Sequence, residues 1–117
     1  MDTVWDQNQR RLKGEDPKVL EAEKNLEHIR SIVSLFPDKD STLVRRAIEN
    51  FNSEVPKSMR IVLDVSDKRL YVAIDKTATS YLKNRNWIFL TMLSKAIANQ
   101  YRIALKESFE KRNQKPA

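Results

Sequence analysis

The chain has 117 residues, 40% of them apolar and 32% charged, with 22 Lys and Arg against 16 Asp and Glu, one glycine and no cysteine. That length and mix predict a single globular domain and exclude a disordered or collagen-like chain, while the lack of cysteine excludes a disulfide-stapled fold and a thiolate-ligated metal centre. The start, MDTVWDQNQRRLKGED, mixes acids and bases where a signal peptide needs an apolar run, so the cytoplasm is the expected compartment.

Residues 1–15 read as an N-terminal arm or short helix, with Val4, Trp5 and Leu12 as its apolar members and Gly14 at the stop. Residues 16–113 read as one α+β domain and residues 114–117 as a flexible tail. Asp16 followed by Pro17 has the form of an N-cap and a first-turn proline. The helix they open runs to about Phe36, because Val19, Ala22, Leu26, Ile29, Val33 and Phe36 recur at spacings of three and four. PDKDS breaks it, and Asp40 or Ser41 caps a second helix to about Phe51 whose apolar side is Leu43, Val44, Ala47, Ile48 and Phe51.

After the loop NSEVPKSM the pattern changes to alternation. RIVLDVSDKRLYVAID predicts an antiparallel β-hairpin with Asp67 and Lys68 at the turn, Ile61, Leu63, Val65, Leu70, Val72 and Ile74 on one face, and Arg60 opposite Asp75 on the other. Residues 77–84 then suit a short helix and residues 86–113 a long one capped by Asn86. On a helical wheel Leu90, Leu93, Ile97, Tyr101, Ala104 and Ser108 form one stripe, with Lys95, Asn99, Arg102 and Lys106 opposite. The run WIFLTML, residues 87–93, is apolar nearly all round and far shorter than the roughly 18–20 residues of a membrane span. It therefore predicts a core segment or an interface, with Trp87, Ile88 and Met92 as interface residues and a homodimer as the partner state.

Chemistry is sparse. His28 is the only histidine and lies beside an apolar stripe, Asp64 and Asp75 fall on the polar face of the predicted hairpin, and a single glycine makes no phosphate-cradling loop. No enzyme activity, cofactor or metal is expected. The charge layout carries more information. Residues 1–54 hold 9 basic and 11 acidic side chains, net −2, and residues 55–117 hold 13 and 5, net +8. Between residues 76 and 106 stand Lys76, Lys83, Arg85, Lys95, Arg102 and Lys106 with no acid among them, interspersed with amides.

Cations release condensed counterions and amides donate to phosphate oxygens or base edges. The first reading is accordingly a small binding protein that meets DNA or RNA through Lys83, Arg85, Lys95, Asn99, Arg102 and Lys106, assisted by Lys68 and Arg69 at the hairpin tip. The second is an adaptor or inhibitor of a protein with an acidic surface, its affinity supplied by the apolar long helix.

Overall fold

Asp16 starts the first helix of the computed structural model, which describes residues 16–36, 41–63 and 66–113, the side chains of Asp67, Lys68, Arg112 and Asn113 excepted. The predicted arm at 1–15, Asp40, Asp64, Val65 and the tail at 114–117 lie outside the described residues. In α1 (Pro17–Leu35) the Asp16 carboxylate accepts from the Lys18 N–H at 2.9 Å, and Pro17, which has no N–H to leave unpaired, occupies the first position. Such a cap contributes about 1 kcal/mol. Leu20, Ala22, Leu26, Ile29, Ile32 and Phe36 are buried, and Val19 and Val33 sit at the edge of that face.

The second helix, α2 (Ser41–Glu54), buries Val44, Ala47, Ile48 and Phe51, as its spacing requires. A 3₁₀ turn (Lys57–Met59) follows. One side-chain amide then holds the irregular segment at 60–63: the Ile61 N–H donates to Asn52 Oδ1 at 2.9 Å, and Asn52 Nδ2 donates to the Ile61 carbonyl at 3.0 Å. Asn52 does for Ile61 what a neighbouring strand would do. The Tyr81 hydroxyl secures the turn by donating to the Met59 carbonyl at 2.6 Å.

The predicted β-hairpin does not exist, and the fold is all-helical among the described residues rather than α+β. Its second half belongs to α3 (Asp67–Lys83), where Leu70, Ile74, Ala78 and Tyr81 are buried at spacings of four, four and three. A short alternating run is ambiguous, because Leu70 and Ile74 are two steps apart on a strand face and also one turn apart on a helix. Val72 decides between the periods, since a strand would bury it with Leu70 and Ile74 but it is 55% exposed. Val62, on the opposite face of the predicted hairpin, is 78% exposed. The expected pair of Arg60 with Asp75 is replaced by Arg30 with Asp75, which joins α1 to α3. The short helix predicted at 77–84 is the end of this longer one.

α4 (Trp87–Asn113) follows after three residues, its first backbone bond running from the Leu90 N–H to the Asn86 carbonyl at 3.0 Å. The corner has the Schellman pattern: the Asn86 N–H reaches the Tyr81 carbonyl at 2.9 Å and the Arg85 N–H reaches Leu82 at 3.3 Å. Arg85 sits at the left-handed position with φ 57°, where glycine is the usual residue. α4 packs most extensively along α1 and α2, and α3 closes the core against α1 and α4. Leu90, Leu93 and Ile97 are fully buried at its centre. Tyr81 stands between Phe51 and Phe89, with ring centroids 6.3 and 6.1 Å away. α1 and α4 run parallel, in register through Asn25 with Thr91 (3.3 Å), His28 Nδ1 with Ser94 Oγ (3.1 Å) and the edge-on rings of Phe36 and Tyr101. No helix among the described residues is long and apolar enough to cross a membrane.

Candidate polyanion-binding face

A helix with one face fixed in the core must present the opposite face outward, and α4 does so for most of its length. Leu90, Leu93, Ile97 and Ala104 are buried, while Lys95, Asn99, Arg102 and Lys106 are all exposed on the opposite side. At 1.5 Å per residue the row from Lys95 to Lys106 is about 16 Å long. Neither Lys95 nor Arg102 has an ion pair among the described residues, so both charges are available to solvent or a ligand.

Two clefts border this row. One, of about 630 Å³ between α2 and α4, brings Lys95, Asn99 and Arg102 across from Asn50, Ser53 and Glu54, with Met92 and Ala96 among its apolar lining. Asn50, Ser53 and Glu54 were not foreseen as site residues, because nothing in the sequence tells which helix end lies beside residues 95–102. Glu54 adds a carboxylate to the lining of this cleft. The other cleft, about 450 Å³ between α1 and α4, is where Trp87, Ile88 and Met92 come together, with Lys18 and Lys95 contributing to its lining. Ile88 is 76% exposed, whereas Trp87 and Met92 are half-buried. Residues 87–93 are therefore not enclosed on every side. Among the described residues Trp87 Nε1 is buried without a hydrogen-bond partner, a donor whose desolvation costs about 1–3 kcal/mol.

The remaining predicted cations do not join the row. Lys83 and Arg85 are exposed at the α3–α4 corner, where Lys83 also lines a shallow cleft of about 400 Å³ with Lys76 and Asn84. Arg69 is exposed in the first turn of α3, and the side chain of Lys68 lies outside the described residues. Without a hairpin there is no basic tip, and the length of α3, about 25 Å, separates Arg69 from the corner.

A third cleft, of about 550 Å³ between α1 and α3, is lined mainly by apolar side chains including Ile29, Val33, Tyr71 and Val72. At its edge Arg30 donates to both Asp75 oxygens, to Thr79 Oγ1 at 3.3 Å and to Glu27 at 3.3 Å. The Asp75 hydrogen bond is the main cause that raises the Arg30 pKa above its ordinary value. Those bonds occupy the guanidinium within the fold. Burial also pushes the Tyr81 phenol above its ordinary value. Among the described residues no group of His, Asp and Glu is placed to hold a metal ion. No family model, curated protein or solved structure matches the chain.

Proposed function

We propose that this chain is a non-enzymatic binding module whose outer α4 face contacts the phosphates of DNA or RNA. The observation that carries the reading is the row itself: Lys95, Asn99, Arg102 and Lys106 are exposed together, no acid interrupts residues 76–106, and Asn50 and Ser53 add hydrogen-bonding groups across the cleft. Lys and Arg neutralise phosphates, the amides orient them, and counterion release supplies most of the free energy. Fluorescence anisotropy with labelled single-stranded and duplex DNA and RNA tests it. Affinity should fall steeply between about 50 and 200 mM salt. No binding at low salt overturns the function, and a flat salt response overturns the mechanism.

A second reading has its own support. Ile88 is 76%, Leu105 48% and Phe109 64% exposed on the same helix, which suits an adaptor or inhibitor whose cations steer it to an acidic protein and whose apolar side chains hold it there. A homodimer through residues 87–93 would cover Ile88 in the same way. Nuclease treatment before affinity capture separates the protein reading from the nucleic-acid reading: partners that survive favour an adaptor, and loss of all of them favours nucleic acid. Light scattering reports the dimer.

A further inference from the structure

α4 outruns the helix it lies beside. The side of α4 that faces α1 is fixed by Thr91 with Asn25, Ser94 with His28, and Tyr101 with Phe36. α1 ends at Leu35, while α4 continues past Tyr101 to Asn113, about 18 Å further. The side that faced α1 does not turn polar there. At 3.6 residues per turn Leu105 and Phe109 fall within about 60° of Ser94 around the helix, in the same sector as Thr91 and Tyr101. They are 48% and 64% exposed, so the apolar stripe continues where its cover has stopped. Leu35, two turns after His28 on the same side of α1, is 59% exposed at that stopping point.

Charge decides what this stripe fits. Arg102 and Lys106 border it on one side, both exposed and neither in an ion pair among the described residues. Glu107 falls on the opposite side of the helix, and Glu110 lies beyond Lys106. An apolar stripe of helical spacing with a cationic border matches an amphipathic helix whose apolar face is edged by Asp or Glu. A second copy of the chain matches less well, because an antiparallel two-fold pair sets Arg102 and Lys106 against the same two cations. Building on the adaptor reading above, we propose that the end of α4 docks an acidic amphipathic helix of a partner protein, which lies on Leu105 and Phe109 as a continuation of α1. Ile88, the other exposed apolar side chain of that reading, is about 26 Å away along the helix and is not part of this surface.

The probes are labelled synthetic peptides of about 18 residues, long enough for five helical turns. One carries Leu at spacings of three and four with Glu on both borders, a second has Lys in place of Glu, and a third scrambles the first. Anisotropy is read with the full-length chain, with Leu105→Gln plus Phe109→Gln, and with Ile88→Gln. The wild type should bind the acidic amphipathic peptide at least about tenfold more tightly than the other two, and the Leu105 and Phe109 double variant should lose that preference. Its Tm should stay within about 3 °C of the wild type, because both side chains are exposed. Equal binding of the acidic and scrambled peptides, or no binding of either, overturns the proposal, and so does a large fall in Tm, which would assign the two side chains to the core. An oligonucleotide that the wild type binds and the double variant does not would give the stripe to nucleic acid instead, which also overturns it. A preference kept by the double variant and lost in Ile88→Gln overturns this docking place while the adaptor reading stands. Loss of every captured partner on nuclease treatment overturns the adaptor reading itself, and the proposal with it.

Discussion

The inner and outer faces of α4 have the same backbone and opposite obligations. On the inner face, which packs against α1, α2 and α3, Leu90, Leu93 and Ile97 are completely buried. On the outer face Ile88 is largely exposed, and Lys95, Asn99, Arg102 and Lys106 follow it into solvent. The inner residues are apolar because burial of each contributes about 1.5–3 kcal/mol. No such demand selects the outer ones, and there the row carries cations without interleaved acids. Substitutions should therefore separate cleanly: inner ones act on stability, outer ones on binding.

The sharpest break of that comparison is Leu93→Ala. The side chain is fully buried in the main core cluster, and its truncation removes transfer free energy and leaves a cavity. The expected loss is about 2–5 kcal/mol, measured by urea unfolding. A loss below about 1 kcal/mol would mean that the inner face is not packed as described.

Asn52→Ala acts through the segment that supports the core from the side. It leaves the Ile61 N–H and carbonyl, now bonded at 2.9 and 3.0 Å, without partners, and Ile61 itself is buried. About 1–3 kcal/mol should be lost. Tyr81 supplies a pH-dependent readout of the same region. Burial raises its pKa in the folded state, so above the ordinary tyrosine value the unfolded chain gives up a proton that the folded chain retains. Stability attributable to Tyr81 is then present at neutral pH and lost as pH rises from the ordinary value through the folded one. Tyr81→Phe should flatten that alkaline decline, and an unchanged slope would place its cause elsewhere.

The contrast between the faces of α4 was legible from spacing alone, because a helix of 27 residues repeats its pattern often enough to fix which side is buried. The start of α1 was legible because Asp16 and Pro17 act locally, through a cap and a preset φ. Residues 60–75 were not. Their alternating stretch is short, Leu70 and Ile74 satisfy both periods, and the missing turn glycine at Asp67 and Lys68 was compatible with a longer hairpin loop. Asn52 holding Ile61 and Asn25 meeting Thr91 are contacts between separate elements that no local pattern announces. The same holds for Asn50, Ser53 and Glu54 lining the cleft beside the basic row. The left-handed Arg85 escaped because a corner glycine is what the pattern seeks, and the chain has its only glycine at position 14.

The smallest expected change in stability, and the one that most directly tests the separation of faces, is Lys95→Gln with Arg102→Gln. Glutamine keeps much of the aliphatic stem, so the cleft lining that Lys95 shares with Met92 is largely preserved while the charge is removed. Both residues are exposed and neither has an ion pair within the described residues, so each substitution should alter stability by no more than about 0.5 kcal/mol. Helix propensity hardly changes, since Gln, Lys and Arg rank together. Binding should respond quite differently: loss of two phosphate contacts lowers the salt slope by about two and weakens affinity most at low salt. Thermal unfolding and anisotropy on the same preparation read both quantities. Unchanged stability with a reduced slope sustains the division of α4 into a structural and a binding face. A Tm lowered by many degrees would show that the outer row belongs to the fold, and an unchanged slope would show that its charges serve something other than phosphate.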